Sequence, residues 1–389
     1  MDSKTSANDN CARPCASLAT PWKDDREVDV LIVGAGPAGA TAALNLATIR
    51  TVALINREPG PRARIGEALP PAARRLLTDM GLWETFKVQR HSPCHGNRAI
   101  WGSPEPIETD FLLDPDGHGW HIDRAQFDLW LRGIAVERGA RLIVPGRLKS
   151  IAWDGECWRA KIQTPENQIE MTSRVVIDAG GRAAPIGRFL DARRKLADQL
   201  VCSWVCGRAM PIHRGAGFSY VQSVEDGWWY SAPLPAGRRV IAFHTDSDLP
   251  AARSLADSKT LLPRAAAHHE LGAMLSESSF TPEQHGFCAA HSAILEPFAG
   301  PGWFAVGDAA FSFDPLSSQG LFNALYTGLA AAEAADRYLS GDHDAPSEYS
   351  ETLTRVYSVY QKQLARWYEA ETRWSDRPFW QRRHENVSA

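Results

Sequence analysis

Apolar positions along the chain fall into short runs separated by turns, with longer stretches at helical spacing between them. Val28–Val33 is a run of strand type, followed by a glycine-rich turn and a helical stretch over Pro37–Thr48, and Thr51–Ile55 reads as a second buried strand. This is the opening of a β–α–β unit. Helical spacing returns at Pro71–Met80 and at Arg124–Glu137, where Phe127, Leu129, Trp130, Ile134 and Val136 are among the apolar positions. Between Arg141 and Ile177 short strand-like runs alternate with turns and end in the apolar Val175–Ile177. Leu200–His244 is strand-rich, its Trp, Val, Tyr and Phe broken by Gly, Pro and Asp, which predicts a mainly antiparallel sheet. Trp303–Val306 is one more short strand, Gln319–Leu339 an Ala-rich helix, and the stretch from about Ser347 to Trp374 a further helix. The aromatic stripe on that last stretch (Tyr357, Tyr360, Trp367, Tyr368, Trp374) reads as a packing face.

At 389 residues the chain exceeds a single ordinary core, so one large or two intimately joined domains are expected. A formal charge of -4 offers no footprint for nucleic acid. No apolar run approaches the roughly 20 residues that span a bilayer. Residues 1–25 are small and polar without an apolar h-region, which predicts a disordered tail and a cytoplasmic protein. Seven cysteines, an odd number, argue against a disulfide framework. Cys11 and Cys15 fall in the tail. Cys202 and Cys206 have the spacing of a metal half-site but lack a matching second pair, so no metal is expected.

Three segments carry the chemistry. Gly34-Ala35-Gly36-Pro37-Ala38-Gly39 lies between a strand and a helix. Its first glycine permits the tight turn, its second lets backbone approach a pyrophosphate, and its third lets helix and strand pack closely. The helix N-terminus then offers free N–H groups and the positive end of its dipole to the phosphates. The acidic residue usual at the end of the second strand is missing: Asn56, Arg57 and Glu58 stand there, leaving the adenosine contact to an amide or to Glu58. The second segment, Gly307-Asp308-Ala309-Ala310, runs through Phe313-Asp314-Pro315-Leu316-Ser317-Ser318-Gln319-Gly320 into a helix. A carboxylate at that strand end suits a polyol hydroxyl such as the ribityl chain of FAD, and the following helix N-terminus favours the negative charge of reduced flavin by ~0.3–2 kcal/mol. The third, Val175–Arg182, is a strand ending in Asp178, Gly180 and Gly181.

In this order the three segments resemble the FAD-dependent monooxygenases of the aromatic-hydroxylase type and their relatives, the flavin-dependent halogenases and prenyl reductases, from about Val28 to Leu339. His121–Asp128 is similar to the segment where the family's arginine, here Arg124, contacts FAD, and Gly66-Glu67-Ala68-Leu69-Pro70 to one beside the flavin. The resemblance implies an α/β (α+β) fold. Its Rossmann-like FAD-binding domain would be discontinuous (26–90, 120–190 and 285–340), with an inserted, mainly antiparallel substrate domain (91–119 and 191–284) and a C-terminal helical region (341–389). It makes Gly34 to Gly39, Asn56, Arg57, Glu67, Ala68, Arg124, Leu148, Asp178, Gly180, Asp308, Pro315, Gln319, Gly320 and Leu321 the expected cofactor contacts.

The halogenases carry a lysine after the Gly-Glu segment and a W-x-W-x-I-P motif. Here Cys94–Trp101 holds no lysine, and Trp228-Trp229-Tyr230-Ser231-Ala232-Pro233 keeps only the frame. The Gly66–Ala73 and Phe313–Gly320 segments are similar to a narrower group of flavoproteins that hydroxylate a tryptophan of a partner polypeptide in tryptophylquinone biogenesis. The implied activity is hydroxylation of an indole through a flavin C4a-hydroperoxide, with O2 as co-substrate. A single G-x-G-x-x-G leaves reduction to transiently bound NAD(P)H or a separate reductase. The substrate would be an aromatic group, including a tryptophan in a quinone-enzyme subunit. Glu67, His95 and Trp229 are the candidate catalytic residues, with His91, His121, Trp228 and Tyr230 beside them. A halogenase, a prenyl reductase and a non-catalytic flavin-bearing assembly factor are the alternatives.

Overall fold

The computed structural model describes residues 26–60, 64–190, 192–211, 217–255 and 258–385. The expected tail over 1–25, with Cys11 and Cys15, lies outside them. The first sheet is built on parallel strands in the order Trp303–Ala305, Gln168–Asp178, Glu27–Val33, Val52–Ile55, Arg141–Ile143. Ala299–Gly300 joins its outer edge antiparallel. The hairpin Arg147–Trp153 and Trp158–Gln163 pairs antiparallel along the first half of Gln168–Asp178. Val30, Leu31 and Ile32 have no exposed surface, so both faces of this sheet are covered; hence the apolar run without alternation. Helix Pro37–Leu46 crosses Gly320–Leu339 closely, since a Cβ at Gly328 would meet the carbonyl oxygen of Ala38 at 2.5 Å.

The second sheet has seven strands in the order Thr281–Ala289, Leu200–Arg208, Arg238–Asp246, Gly227–Leu234, Phe218–Val224, Gly96–Ile100, Ile107–Asp110. All its pairs are antiparallel except Phe218–Val224 with Gly96–Ile100. Strand Thr281–Ala289 runs across the boundary expected at 284/285 and pairs along its length with Leu200–Arg208, so this sheet extends to Ala289. One face, with Trp229, Ile241 and Phe243, packs on the helices Pro250–Ser254, Ser258–Ala266 and His269–Glu277 through Leu261, Ala265 and Leu271. The other face, with Cys202, Trp204 and Trp228, meets Tyr368, Phe379 and Trp380.

Those three residues come from the C-terminal helices Ala345–Glu369 and Pro378–Glu385. The first of them is the helix expected from Ser347, and its stripe packs through Tyr357, Tyr360 and Tyr368, while Trp367 is exposed. Polar locks hold the C-terminal segment to the second sheet. Arg383 donates to Asp246 at 2.9 and 3.0 Å, and buried Glu371 accepts from Ser223 at 2.6 Å and from the Gly102 N–H at 2.8 Å. Among the described residues no helix is long and apolar enough to cross a membrane.

Candidate functional site

A cleft of about 820 Å3 runs from the Gly34–Gly39 turn to the second sheet. At one end, Gly34 has φ +111°, and a Cβ there would strike the carbonyl of Ala179. Gly39 could not carry one either, because a Cβ there would strike the Gly34 carbonyl and lie 2.8 Å from the Ala179 methyl. Gly36 differs: a Cβ there would meet nothing within 4 Å, so its backbone is open to the cleft. Gly36 caps Pro37–Leu46 without a side-chain hydrogen bond, and no acid stands in that helix's first turn. Helix Gly320–Leu339 also begins without a side-chain cap or a first-turn acid, and Gly320, Leu321 and Ala324 line the same cleft. Two helix N-termini with unsatisfied N–H groups therefore meet one cavity, whose wall adds Arg57, Arg64, Arg124, Arg132 and Arg188. The residues present fit a dinucleotide: an open glycine backbone and positive helix ends for the phosphates, and Glu58 and Asp308 on the wall for hydroxyls.

Most expected cofactor contacts line this cleft: Gly34 to Ala38, Asn56, Arg57, Glu67, Ala68, Arg124, Leu148, Gly180, Asp308, Pro315, Gly320 and Leu321. Gly39 stands behind the turn as a packing glycine, and Gln319 is exposed outside the lining. Asp178 is a correction. Its carboxylate is buried and accepts from the N–H groups of Gly180, Ile186 and Gly187 at 3.0, 2.7 and 3.0 Å, so it ties the loop together, while Ala179 and Gly180 line the cleft. The Asn56 amide is also engaged within the turn, accepting from Ala35 N–H at 3.4 Å and donating to the Glu58 carbonyl at 2.5 Å. Arg124 donates to the Gly66 carbonyl at 2.9 Å and pairs with Asp128 at 3.2 Å, holding the Gly66–Glu67 segment at the wall.

The far end of the cleft is floored by the second sheet. Strand register places Ser223, Trp228, His244, Cys202 and Cys288 in one row across five strands, each opposite the next. The last four line the cleft together with Tyr230 and Asp314. Trp228 and His244 stack at 3.7 Å with an 8° angle between rings. Burial pushes the His244 imidazole down to about 3, so it is neutral. The floor has buried polar atoms: the Glu67 carboxyl and Tyr230 hydroxyl lie beside each other, and Trp228 Nε1 has no partner in the protein. Burial pushes the Glu67 carboxyl up, against the lowering pull of the nearby Tyr230 hydroxyl, the Gly66 N–H and the Arg124 charge. Asp314 is pushed up to about 6 by burial and accepts from Tyr368 OH at 2.7 Å and Leu316 N–H at 2.9 Å. The Asp314 N–H donates to Tyr360 OH at 2.7 Å, so the C-terminal helix braces the connector 313–319.

Two candidate catalytic residues are placed elsewhere. Trp229 is fully buried on the opposite face of the sheet, against Phe243 and His268, because neighbouring strand residues point to opposite sides. His95 is exposed beside His118, outside the cleft. His121 is buried with Nε2 2.8 Å from Ser219 Oγ, and His91 packs on Phe86 and Phe127; burial lowers them to about 3 and about 4. His121 is a core histidine, and His91 is half-buried at the core's edge. Sequence reasoning missed His244 and Cys288, whose place on the floor follows from strand register, and Arg132 and Arg188 on the phosphate side. Cys206 stands opposite Gln284 and Val240, away from any second thiol in register.

A family model described as FAD binding domain matches residues 27–333. The chain is 30% identical over 361 residues to LodB of Marinomonas mediterranea, an FAD-dependent oxidoreductase by name, covering 92% of this chain and 96% of that one. Its fold superposes with a TM-score of 0.83 on the crystal structure of CmlS, a flavin-dependent halogenase, at 25% identity, covering 93% of this chain and 69% of the other. It superposes at 0.73 on QhpG, a peptidyl tryptophan dihydroxylase essential for tryptophylquinone cofactor biogenesis, at 23% identity, covering 92% and 78%.

Proposed function

Because the chain belongs to the FAD binding domain family and is an FAD-dependent oxidoreductase, we propose that it is a monooxygenase that hydroxylates an indole, the substrate being a tryptophan side chain of a partner polypeptide. The observation that carries this reading is the floor of the cleft, where a Trp–His stack lies beside the buried Glu67 carboxyl, the Tyr230 hydroxyl and the unpartnered Trp228 Nε1. A planar aromatic ring stacks on such a floor, and its N–H has an acceptor in Glu67. The shared fold with a peptidyl tryptophan dihydroxylase supports the choice of substrate.

Bound and reduced, FAD would supply activation of O2 and the transferred oxygen atom, its electrons coming from NAD(P)H or a separate reductase. The chain's own part is to hold the ring and move a proton. Glu67, raised by burial, accepts the substrate N–H and takes its proton as electron density leaves the ring. Tyr230 OH donates to the developing oxygen substituent, and neutral His244 keeps the stacked face of Trp228 free of charge. Arg124 positions Glu67 by fixing the Gly66 carbonyl.

Two alternatives fit the floor less well. A prenyl chain would leave the buried Trp228 N–H unpaired, at a cost of about 1–3 kcal/mol, and offer no polar group to Glu67 or Tyr230. Lys149, a lysine that lines the cleft, stands exposed near the start of strand Arg147–Trp153, far in sequence from the place where the halogenases carry theirs. The test is to incubate FAD-loaded protein with NAD(P)H or a chemical reductant, isotopically heavy O2, bromide and tryptophan-containing peptides. Labelled oxygen on the indole is expected. Bromination of the ring would support a halogenase, and an unmodified peptide with rapid flavin reoxidation would overturn the indole assignment. Undiminished function of an FAD-free variant would identify an assembly factor.

A further inference from the structure

Cys202 and Cys288 face each other directly across the antiparallel pair Leu200–Arg208 and Thr281–Ala289. Residues opposed in such a pair have Cα atoms about 4.5–5.5 Å apart, within the roughly 4.4–6.8 Å that a disulfide spans. Both are free thiols and both line the cofactor cleft. Thr281–Ala289 is the edge strand of its sheet, so Cys288 is half-exposed while Cys202 is buried.

We propose that Cys202 and Cys288 form an oxidisable dithiol in the wall of the cleft, closing to a disulfide at the expense of hydrogen peroxide. The two sulfurs have the asymmetry such a pair needs. The Cys202 S–H and the charge of Arg182 pull the Cys288 thiol down against its burial, while burial pushes the Cys202 thiol up. Cys288 is therefore the attacking thiolate. It displaces water from one peroxide oxygen, becoming a sulfenic acid, and the Cys202 sulfur then attacks that sulfur and releases a second water. Two thiols lose two electrons and one peroxide becomes two waters. The bridge ties the edge strand to the sheet where it borders the cleft. Peroxide is the product of two-electron reduction of O2, so a flavin cavity is where such a pair meets its oxidant. The assignment is independent of which substrate is hydroxylated.

The test uses the FAD-loaded, pre-reduced protein treated with an equivalent of hydrogen peroxide, alkylated in denaturant and mapped by mass spectrometry. The expected result is loss of the alkylated Cys202 and Cys288 peptides together, appearance of their cross-linked peptide, and reversal by dithiothreitol, with Cys94 and Cys206 still alkylated. In Cys202→Ala, Cys288 is expected to stop at a sulfenic acid trapped by dimedone; in Cys288→Ser, Cys202 is expected to stay alkylated. Peroxide that oxidises Cys157 while both peptides stay alkylated would overturn the proposal. So would Cys288 reaching the sulfinic acid in the wild type without a cross-link.

Discussion

The Gly36→Asp substitution separates the fold's need for glycine from the cofactor's. Gly36 has an extended backbone (φ -76°, ψ -175°) and space for a Cβ, so the aspartate fits without strain. In the cofactor-free protein its carboxylate caps Pro37–Leu46, which has neither a side-chain cap nor a first-turn acid. Cap and helix dipole together add about 0.5–1 kcal/mol. With FAD present, the same carboxylate faces the pyrophosphate. Like charges about 5 Å apart at an effective dielectric of ~20 cost ~3 kcal/mol, roughly a hundred-fold in Kd. An FAD concentration of about 100 Kd stabilises the wild type by about 2.7 kcal/mol, and the variant, then near its own Kd, by about 0.4 kcal/mol. At roughly 1 °C per kcal/mol for a chain of this size, the FAD-induced rise in Tm falls from about 3 °C to under 1 °C, while the Tm without FAD rises by about 1 °C. Differential scanning fluorimetry with and without FAD reads both, and Gly34→Ala is the contrast. With its φ of +111° and the Ala179 carbonyl in the way, that variant lowers Tm even without FAD. An unchanged FAD shift in Gly36→Asp, or a lower Tm without FAD, would refute the placement of phosphate at this helix end.

Acid stability carries a signature of His244. Its folded value, lowered to about 3 from 6.5, means that stability is fully present above about pH 6.5 and is lost as pH falls toward that value, by about 1.4 kcal/mol per unit. His244→Phe keeps the stack on Trp228, so urea denaturation at about pH 7 and about pH 5 should show its loss smaller than that of wild type by ~2 kcal/mol. His121 and His91 continue to titrate in both proteins. Tyr368→Phe leaves the buried Asp314 carboxylate short of a donor and is expected to cost about 1–3 kcal/mol in urea denaturation. It should also weaken FAD binding, through the connector that lines the cleft. For Glu67→Gln, turnover of the indole substrate is expected to fall by about 10²–10⁴-fold. Because the Glu67 carboxyl sits above its ordinary value, ionising it costs stability as pH rises through that raised value. The Gln variant should therefore melt higher than wild type at about pH 8 and alike near pH 4.

What the sequence showed and what it hid divide along physical lines. The glycine turn, the Asp308 segment and the helices that follow them were legible because backbone geometry there admits few residues: Gly34 and Gly307 have φ of +111° and +55°, and a Cβ at Gly307 would lie 2.9 Å from that of Ala38. Arg124–Glu137 has the bounds its pattern predicted. Asp178 looked like a ligand because an acid at a strand end beside glycines reads the same whether it binds a hydroxyl or three backbone N–H groups of its own loop. The choice of Trp229 failed for a different reason. Strand phase is visible in a sequence when one face is wet, since polar residues then mark the outer side. The strand Gly227–Leu234 has helices Pro250–Glu277 on one side and the cleft and C-terminal helices on the other, and both Trp228 and Trp229 are buried. Nothing in Trp-Trp-Tyr-Ser says which tryptophan faces the cleft. The register with His244 and Cys202 decides for Trp228, and the same row brings in Cys288 from a strand that begins more than forty residues further along the chain. A floor assembled across four strands has no linear motif, so this end of the cleft becomes readable only when the sheet is in place.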